Sequence, residues 1–385
     1  MRELFLCATN GLRASVITEG DDHRAQVELE LVAAGLQLPV SHRVLWARNA
    51  APSHSWFIVI REASGAPRGG FAVSVTRSRA LPGYVVLRTE RLGPGLPLGT
   101  RDIGLMALAQ LAREQSRVLR VYAELFDRGD AQRDDFVRAA TAIGFRIART
   151  PRSYPRTIAL DLAPTESELL ESFSTIVRRN IKKVVEVKLP LALRPVTDLA
   201  LAPRMAQLLA DVYDRTGGEL AVQDLTQPIA LSREAPELSR VVGLFRTDRD
   251  GPEALLGFAW GKMQGDCASY DTGASGRFDG GSIGIAYPLM WDLMRWARAH
   301  GASWFDLGGI TDGSYGGDDR LGGISDFKRK FGGSVVTVGA DVEFEPSVAS
   351  AYVAEAMRLG ARFAARLVKP LRGRRKAPER MELIA

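Results

Sequence analysis

Short apolar runs bounded by Gly, Pro and Ser set out the strands of the first half of the chain. Trp56 to Ile60, Phe71 to Val75 and Tyr84 to Thr89 are such runs. A helix is expected from Arg101 to about Gln115, because Leu105, Leu108, Leu111 and Ala112 fall on one face at helical spacing. Val118 to Leu125 reads as a strand, Ala131 to Ile143 as a helix closed by Gly144, and Arg156 to Leu162 as a further strand.

Pro164-Thr165-Glu166-Ser167-Glu168 is a helix-start signal, with Thr165 as the capping side chain and carboxylates in the first turn. The apolar stripe continues through Leu169, Leu170, Phe173, Ile176, Val177, Ile181 and Val184, so one long helix with a basic outer face is expected. A strand (Leu189 to Val196), a helix (Ala202 to Tyr213) and a polar connection follow. Then come two strands, Val241 to Arg246 and Leu255 to Tyr270, a long helix from Ala286 to His300 and a strand from Trp304 to Leu307. Val335 to Phe344 reads as the last strand and Val348 to Val368 as a terminal helix.

The two halves repeat one order of elements: helix, strand, helix, antiparallel strands, helix, strand. The expectation is an α/β (α+β) chain of two tandem domains, each a mixed, mostly antiparallel sheet flanked by helices. The boundaries fall at 1–163, 164–345 and 346–385, the last being a helix and basic tail. A chain of 385 residues is long for one core and comfortable for two. No repeat at short period points to a solenoid.

Composition adds two constraints. Cys7 and Cys267 lie far apart and form no metal or redox spacing, which fits a reducing, cytoplasmic setting. The four histidines (His23, His42, His54, His300) are scattered, so no metal site is expected. The N-terminus lacks a secretory signal, and no segment approaches the ~20 apolar residues that span a bilayer. The net charge of +6 favours a polyanionic partner, namely nucleic acid, nucleotide phosphates or an anionic membrane surface. Basic residues cluster at Arg178-Arg179-Asn180-Ile181-Lys182-Lys183 and in the tail Lys369-Pro370-Leu371-Arg372-Gly373-Arg374-Arg375-Lys376. Each also reads as a solvated helix face or a terminus.

The richest chemistry lies at Trp304-Phe305-Asp306-Leu307-Gly308-Gly309-Ile310 and Gly323-Ile324-Ser325-Asp326-Phe327-Lys328-Arg329-Lys330-Phe331-Gly332-Gly333. An Asp ends an apolar strand, Gly-rich loops follow, and Lys328 stands beside Phe327. A lysine held among aromatic rings sheds water and presents a focused charge, which suits the negative charge that develops in acyl transfer. The ordinary alternative is a surface lysine in an amphipathic turn.

With these stretches in view, the chain resembles the Fem aminoacyltransferases (FemABX type), which are built of two domains of the N-acetyltransferase (GNAT) fold. The resemblance is carried by Arg91-Leu92-Gly93-Pro94, Tyr154-Pro155-Arg156-Thr157-Ile158-Ala159-Leu160-Asp161-Leu162, the basic run 178–183, Tyr270-Asp271-Thr272-Gly273-Ala274-Ser275, Phe305 to Ile310 and Phe327 to Gly333. It implies transfer of an amino acid from aminoacyl-tRNA to an amine, in the family that of a peptidoglycan precursor, UDP-muropeptide or its lipid-linked form. It implies no cofactor beyond the activated ester. The family's Phe-Lys motif falls on Phe327 and Lys328, and its strand tyrosine on Tyr270, which is equally an ordinary strand aromatic.

Asp306 is a candidate to accept or relay the amine proton, or else a cap for the following loop. Arg178, Arg179, Lys182 and Lys183 are candidates to meet tRNA phosphates. Family members carry an Arg and Tyr pair where this chain reads Asp214 to Val222 without one, which leaves the acceptor open. A monomer is expected, with the basic tail touching anionic membrane.

Two rival readings remain. Arg277-Phe278-Asp279-Gly280-Gly281-Ser282, ahead of the Ala286 helix, approaches the pyrophosphate loop of acyl-CoA N-acyltransferases, with Arg277, Gly280 and Gly281 as the CoA-binding residues. The chain is otherwise a catalytically silent module that holds a polyanion.

Overall fold

A computed structural model of the protein describes residues 4–359 apart from 19, 50–53, 187–188, 217–223, 315–316, 318, 320–321 and 358. The expected basic tail, the end of the terminal helix and most of the stretch 214–222 lie outside the described residues.

Fifteen strands are described. The first seven are β1 (Leu4–Thr9), β2 (Leu12–Ile17), β3 (His54–Glu62), β4 (Pro67–Arg77), β5 (Val85–Thr89), β6 (Val118–Phe126) and β7 (Arg146–Ile147). The next are β8 (Arg156–Asp161), β9 (Leu191–Pro195), β10 (Ser239–Arg246), β11 (Leu255–Met263) and β12 (Cys267–Ser275). The last are β13 (Trp304–Gly309), β14 (Ser334–Thr337) and β15 (Gly339–Phe344). They form two sheets, ordered β1-β2-β3-β4-β5-β6-β15-β7 and β14-β8-β13-β12-β11-β10-β9. Each sheet is antiparallel except at one pair, β5 with β6 in the first and β12 with β13 in the second. The fold is therefore mixed α/β, two mostly antiparallel sheets flanked by helices.

The sheets exchange strands around the expected division at 163. β8 precedes it in sequence but pairs with β13 and β14 in the second sheet. β15 follows the whole second unit yet returns to the first sheet beside β6. The run Val335 to Phe344 is thus two strands, divided at Val338, which is fully buried and exchanges backbone hydrogen bonds with Pro155 and Asp127. A small cluster of Phe126, Ala159, Cys267, Trp304 and Val338 joins the two cores there.

Each sheet carries a long helix whose apolar face is deeply buried. Arg101–Glu114 lies on the first sheet with its leucine stripe in the core. Ala286–Ala299 lies on the second, burying Leu289, Met290, Leu293 and Met294. Burial of such side chains, roughly 1.5–3 kcal/mol each, is what holds a helix to a sheet.

Three further expectations are corrected. The helix after Thr165 is not continuous: Glu166–Ser172 ends and Thr175–Val185 begins afresh. Phe173 takes an extended conformation between them and packs edge-on against Trp291 and Phe331, while the Ser174 N–H donates to the Lys330 carbonyl. Tertiary packing of one ring outweighs the local helical preference. The start signal itself is present as a reciprocal capping box between Thr165 and Glu168. The run Leu255 to Tyr270 is a hairpin, β11 and β12, turned at Gly265 with φ of 85°. Finally, Phe327 and Lys328 stand on a helix, Gly322–Arg329, rather than in a loop.

Candidate active site

The parallel pairing of β12 and β13 runs from Cys267 and Trp304 to Ser269 and Asp306 and stops there, although both strands continue. The next residue of β12 is Tyr270. The helix Gly322–Arg329 places Phe327 and Lys328 against this opening. Tyr270, Phe327 and Lys328 line one pocket of about 230 Å³, walled mainly by apolar groups such as Phe258, Leu289 and Met290. The sequence separates Tyr270 from Lys328 by more than fifty residues, and the fold brings them to one cavity.

Lys328 is buried, and its Nζ donates to the Gly309 carbonyl at 2.7 Å. Burial pulls its pKa down to about 8, against a smaller upward pull from Asp306. A cation with so little water has its charge concentrated on the pocket, and it can also exchange a proton near neutral pH. Phe327 packs on Tyr287 and Phe331 at ring centroid distances of 5.1 and 5.4 Å, which fixes the helix that carries Lys328. Tyr270 is held protonated, its pKa raised by burial and by Asp271, so its hydroxyl remains a donor.

Asp306 is fully buried and is not among the residues lining this pocket. Its Oδ1 accepts from the Gly308 N–H at 2.8 Å and from the Thr157 hydroxyl at 2.6 Å. Its Oδ2 accepts from Tyr154 and lies 3.5 Å from the Arg91 guanidinium. Asp306 therefore caps the turn at Gly308, whose φ is 81°, and the next carbonyl is the one that holds Lys328. The carboxylate acts on the lysine through the loop between them.

Arg91, Tyr154 and Thr157 complete this arrangement. Arg91, two residues beyond the end of β5, lies in the left-handed region, φ 55° and ψ 41°, with its guanidinium 3.5 Å from the centroid of the Phe126 ring. Burial opposes its charge, but Tyr154 and Asp306 outweigh that and hold its pKa up. The resemblance quoted these residues only as motif positions. The signal that marks Arg91 is a cation just past an apolar strand, two residues ahead of Gly93-Pro94, and its partner Asp306 is far away in sequence.

The basic helix Thr175–Val185 divides. Arg178 is turned inward to the Glu171 and Phe173 carbonyls, at 2.7 and 2.9 Å, and closes the preceding helix. Lys183 donates to the Ser282 carbonyl. Arg179 and Lys182 are exposed. The Arg277 to Ser282 loop does lead from β12 into the helix Ala286–Ala299. Phe278 in it is core, Asp279 pairs with Arg246 and Arg249, and Asn180 Oδ1 takes the Gly284 N–H at 2.7 Å. Arg277, Gly280 and Gly281 are exposed. Among the described residues, no group of three His, Cys, Asp or Glu is placed to hold a metal ion. No described helix is long and apolar enough to cross a membrane.

Residues 285–358, which span Lys328, match the FemAB family. No curated protein matches the chain. Among solved structures it is similar to the crystal structure of FemX, with 13% identity and a TM-score of 0.67 over 86% of this chain and 97% of that one. It also aligns with L-PGS from Bacillus licheniformis (14% identity, TM-score 0.49, 91% of this chain and 98% of that one). A GCN5-related N-acetyltransferase from Sphaerobacter thermophilus aligns with 12% identity and a TM-score of 0.38, over 88% of this chain and 97% of that one. The chain is thus similar to the FemAB family over the segment around Lys328 and shares the fold of FemX across its two sheets.

Proposed function

We propose that the protein is an aminoacyltransferase that moves an amino acid from aminoacyl-tRNA to an amine, that of a peptidoglycan precursor in its UDP-linked or lipid-linked form. The observation that carries this reading is Lys328, a buried lysine with a pKa near 8 on the wall of an apolar pocket, inside the FemAB match.

An aminoacyl ester needs little chemical help. The acceptor nitrogen attacks the ester carbonyl, a C–N bond forms, the C–O bond to ribose breaks, and one proton passes from the amine to the ribose oxygen. The protein must position the amine and stabilise the oxyanion. Lys328 as ammonium serves the oxyanion and can give its proton to the leaving oxygen. As a neutral amine it can recover one from the product nitrogen. Phe327 and Tyr270 bound the space for the aminoacyl group. Asp306 is a positioning residue, which holds Gly308 and Gly309 so that Lys328 points into the pocket. Arg179 and Lys182 are the members of the basic helix left to meet tRNA phosphates.

The acyl-CoA reading is the one to test beside it, since the Arg277 to Ser282 loop precedes a helix. The Gly284 N–H, between that loop and the helix, already donates to Asn180 Oδ1. The test is label transfer from a mixture of radiolabelled aminoacyl-tRNAs to UDP-muropeptide or its lipid-linked form, with acetyl-CoA run in parallel. Label moving from tRNA supports the proposal and names the amino acid. Label moving only from CoA replaces it.

A further inference from the structure

On the first sheet, far in sequence from Lys328, β4, β5 and β6 gather arginines around one tyrosine. Arg88 on β5 is the parallel neighbour of Tyr122 on β6, and Arg120 lies two residues before Tyr122 on the same face. The Arg88, Arg120 and Arg152 guanidiniums all lie over the Tyr122 ring, at 5.6, 5.8 and 5.3 Å from its centroid. With Arg77, Arg79 and Arg149 they line a cavity of about 730 Å³.

Only two of these six arginines pair with a carboxylate among the described residues. Arg120 is paired with Glu343 and Glu345, and Arg149 lies 3.9 Å from Glu343. Among the described residues the guanidiniums of Arg77, Arg79, Arg88 and Arg152 form no ion pair; the Arg152 backbone N–H donates to Asp341, and Glu90 exerts a small opposing pull on Arg88. One carboxylate, Glu355, is on the lining. The Arg88 and Arg120 Nε atoms are buried without a hydrogen-bond partner. Burial lowers the pKa of Arg88, and the Arg152 charge lowers it further. Gathered like charges and unpaired buried donors both cost stability, and an anion in the cavity relieves both.

We infer that this arginine cavity is a binding site for a phosphate group, separate from the Lys328 pocket. Guanidinium forks match phosphate oxygens two at a time, and Tyr122 keeps the three planes together. The adjoining stretch of the same face carries Glu90 and Asp341, whose carboxylates repel an anion and confine the phosphate to the arginine end, whereas burial raises the pKa of Glu124 beside them to about 8 and leaves it largely uncharged. The site stands independently of the aminoacyl-transfer reading.

The experiment is calorimetric titration of the full chain with inorganic pyrophosphate, uridine diphosphate and glycerol 1-phosphate. The expected result is saturable binding of at least one probe, and the tightest distinguishes free phosphate, nucleotide and lipid headgroup as the source. Binding should weaken about tenfold or more, roughly 1.4 kcal/mol, in Arg88→Gln/Arg152→Gln. Arg79→Glu should weaken it as well; Arg79 is exposed, so that variant reverses charge without touching the core. Lys328→Ala should bind as the native chain does. Absence of saturable binding by all three probes, or native affinity in Arg79→Glu, would overturn the assignment.

Discussion

The Arg91 guanidinium lies 3.5 Å from the carboxylate of Asp306, and the pair joins the end of a first-sheet strand to the turn that holds Lys328. Arg91 is nearly buried and Asp306 fully so, and Tyr154 and Thr157 fill the remaining acceptor positions on the carboxylate. A buried pair of this kind makes each partner costly to remove singly.

Replacing Arg91 alone leaves Asp306 charged and enclosed. Arg91→Met is expected to lose about 3–5 kcal/mol in denaturant unfolding. Arg91→Met/Asp306→Asn should lose clearly less than the sum of the two single changes, because the stranded charge is gone. Strict additivity would show that the pair does not act as a unit.

Lys328 is a local weakness in the fold. Its folded pKa near 8 is below its unfolded value near 10.5, so the folded state binds its proton less well. That difference opposes folding fully below about pH 8, and the effect fades as pH rises through 10.5. Lys328→Met is therefore expected to raise stability at pH 7, by at most about 3 kcal/mol, with the gain vanishing above pH ~10.5. Thermal melts of both proteins across this range check it, and an equal gain at pH 7 and pH 11 would contradict it.

Gly308 sits at φ 81°, and a Cβ there would lie 3.1 Å from the Lys328 Nζ. Gly308→Ala should cost roughly 1–3 kcal/mol through backbone strain. It should also shift the apparent pKa in the pH–rate profile, because it displaces the charged group. A variant with native stability and profile would mean that the turn does not set the lysine.

Much of this architecture was legible in the sequence. The capping box at Thr165, the leucine stripe of the helix Arg101–Glu114 and the runs that became β3 to β6 are local patterns, and local patterns survive folding. Phe327, Lys328 and Tyr270 were named on a resemblance to family motifs, and the fold brings them to one pocket. What was not legible depends on contacts distant in sequence. The break at Phe173 answers to Trp291 and Phe331, the return of β15 to the first sheet answers to β6, and the arginine cavity draws on residues from 77 to 152. One local signal was passed over: Asn10-Gly11 between two apolar runs turns the hairpin of β1 and β2, with φ of 51° and 75°.

The acceptor must attack as a neutral amine while Lys328 must act as an ammonium, so rising pH supplies the first and removes the second. Activity is expected to fall on the alkaline side near pH 8, as the Lys328 ammonium is lost. The residual activity of Lys328→Ala should lack that limb, since among the described residues no other group lining the pocket titrates there. An alkaline limb that persists unchanged in Lys328→Ala would assign it to another group.

The most direct test of the central claim is single-turnover transfer from aminoacyl-tRNA by native protein and by Lys328→Ala, with a melting curve for each. The account expects a folded Lys328→Ala, at least as stable as native at pH 7, whose transfer rate is lower by about a hundredfold or more. A folded variant that transfers at the native rate would remove Lys328 from the chemistry and the proposal with it.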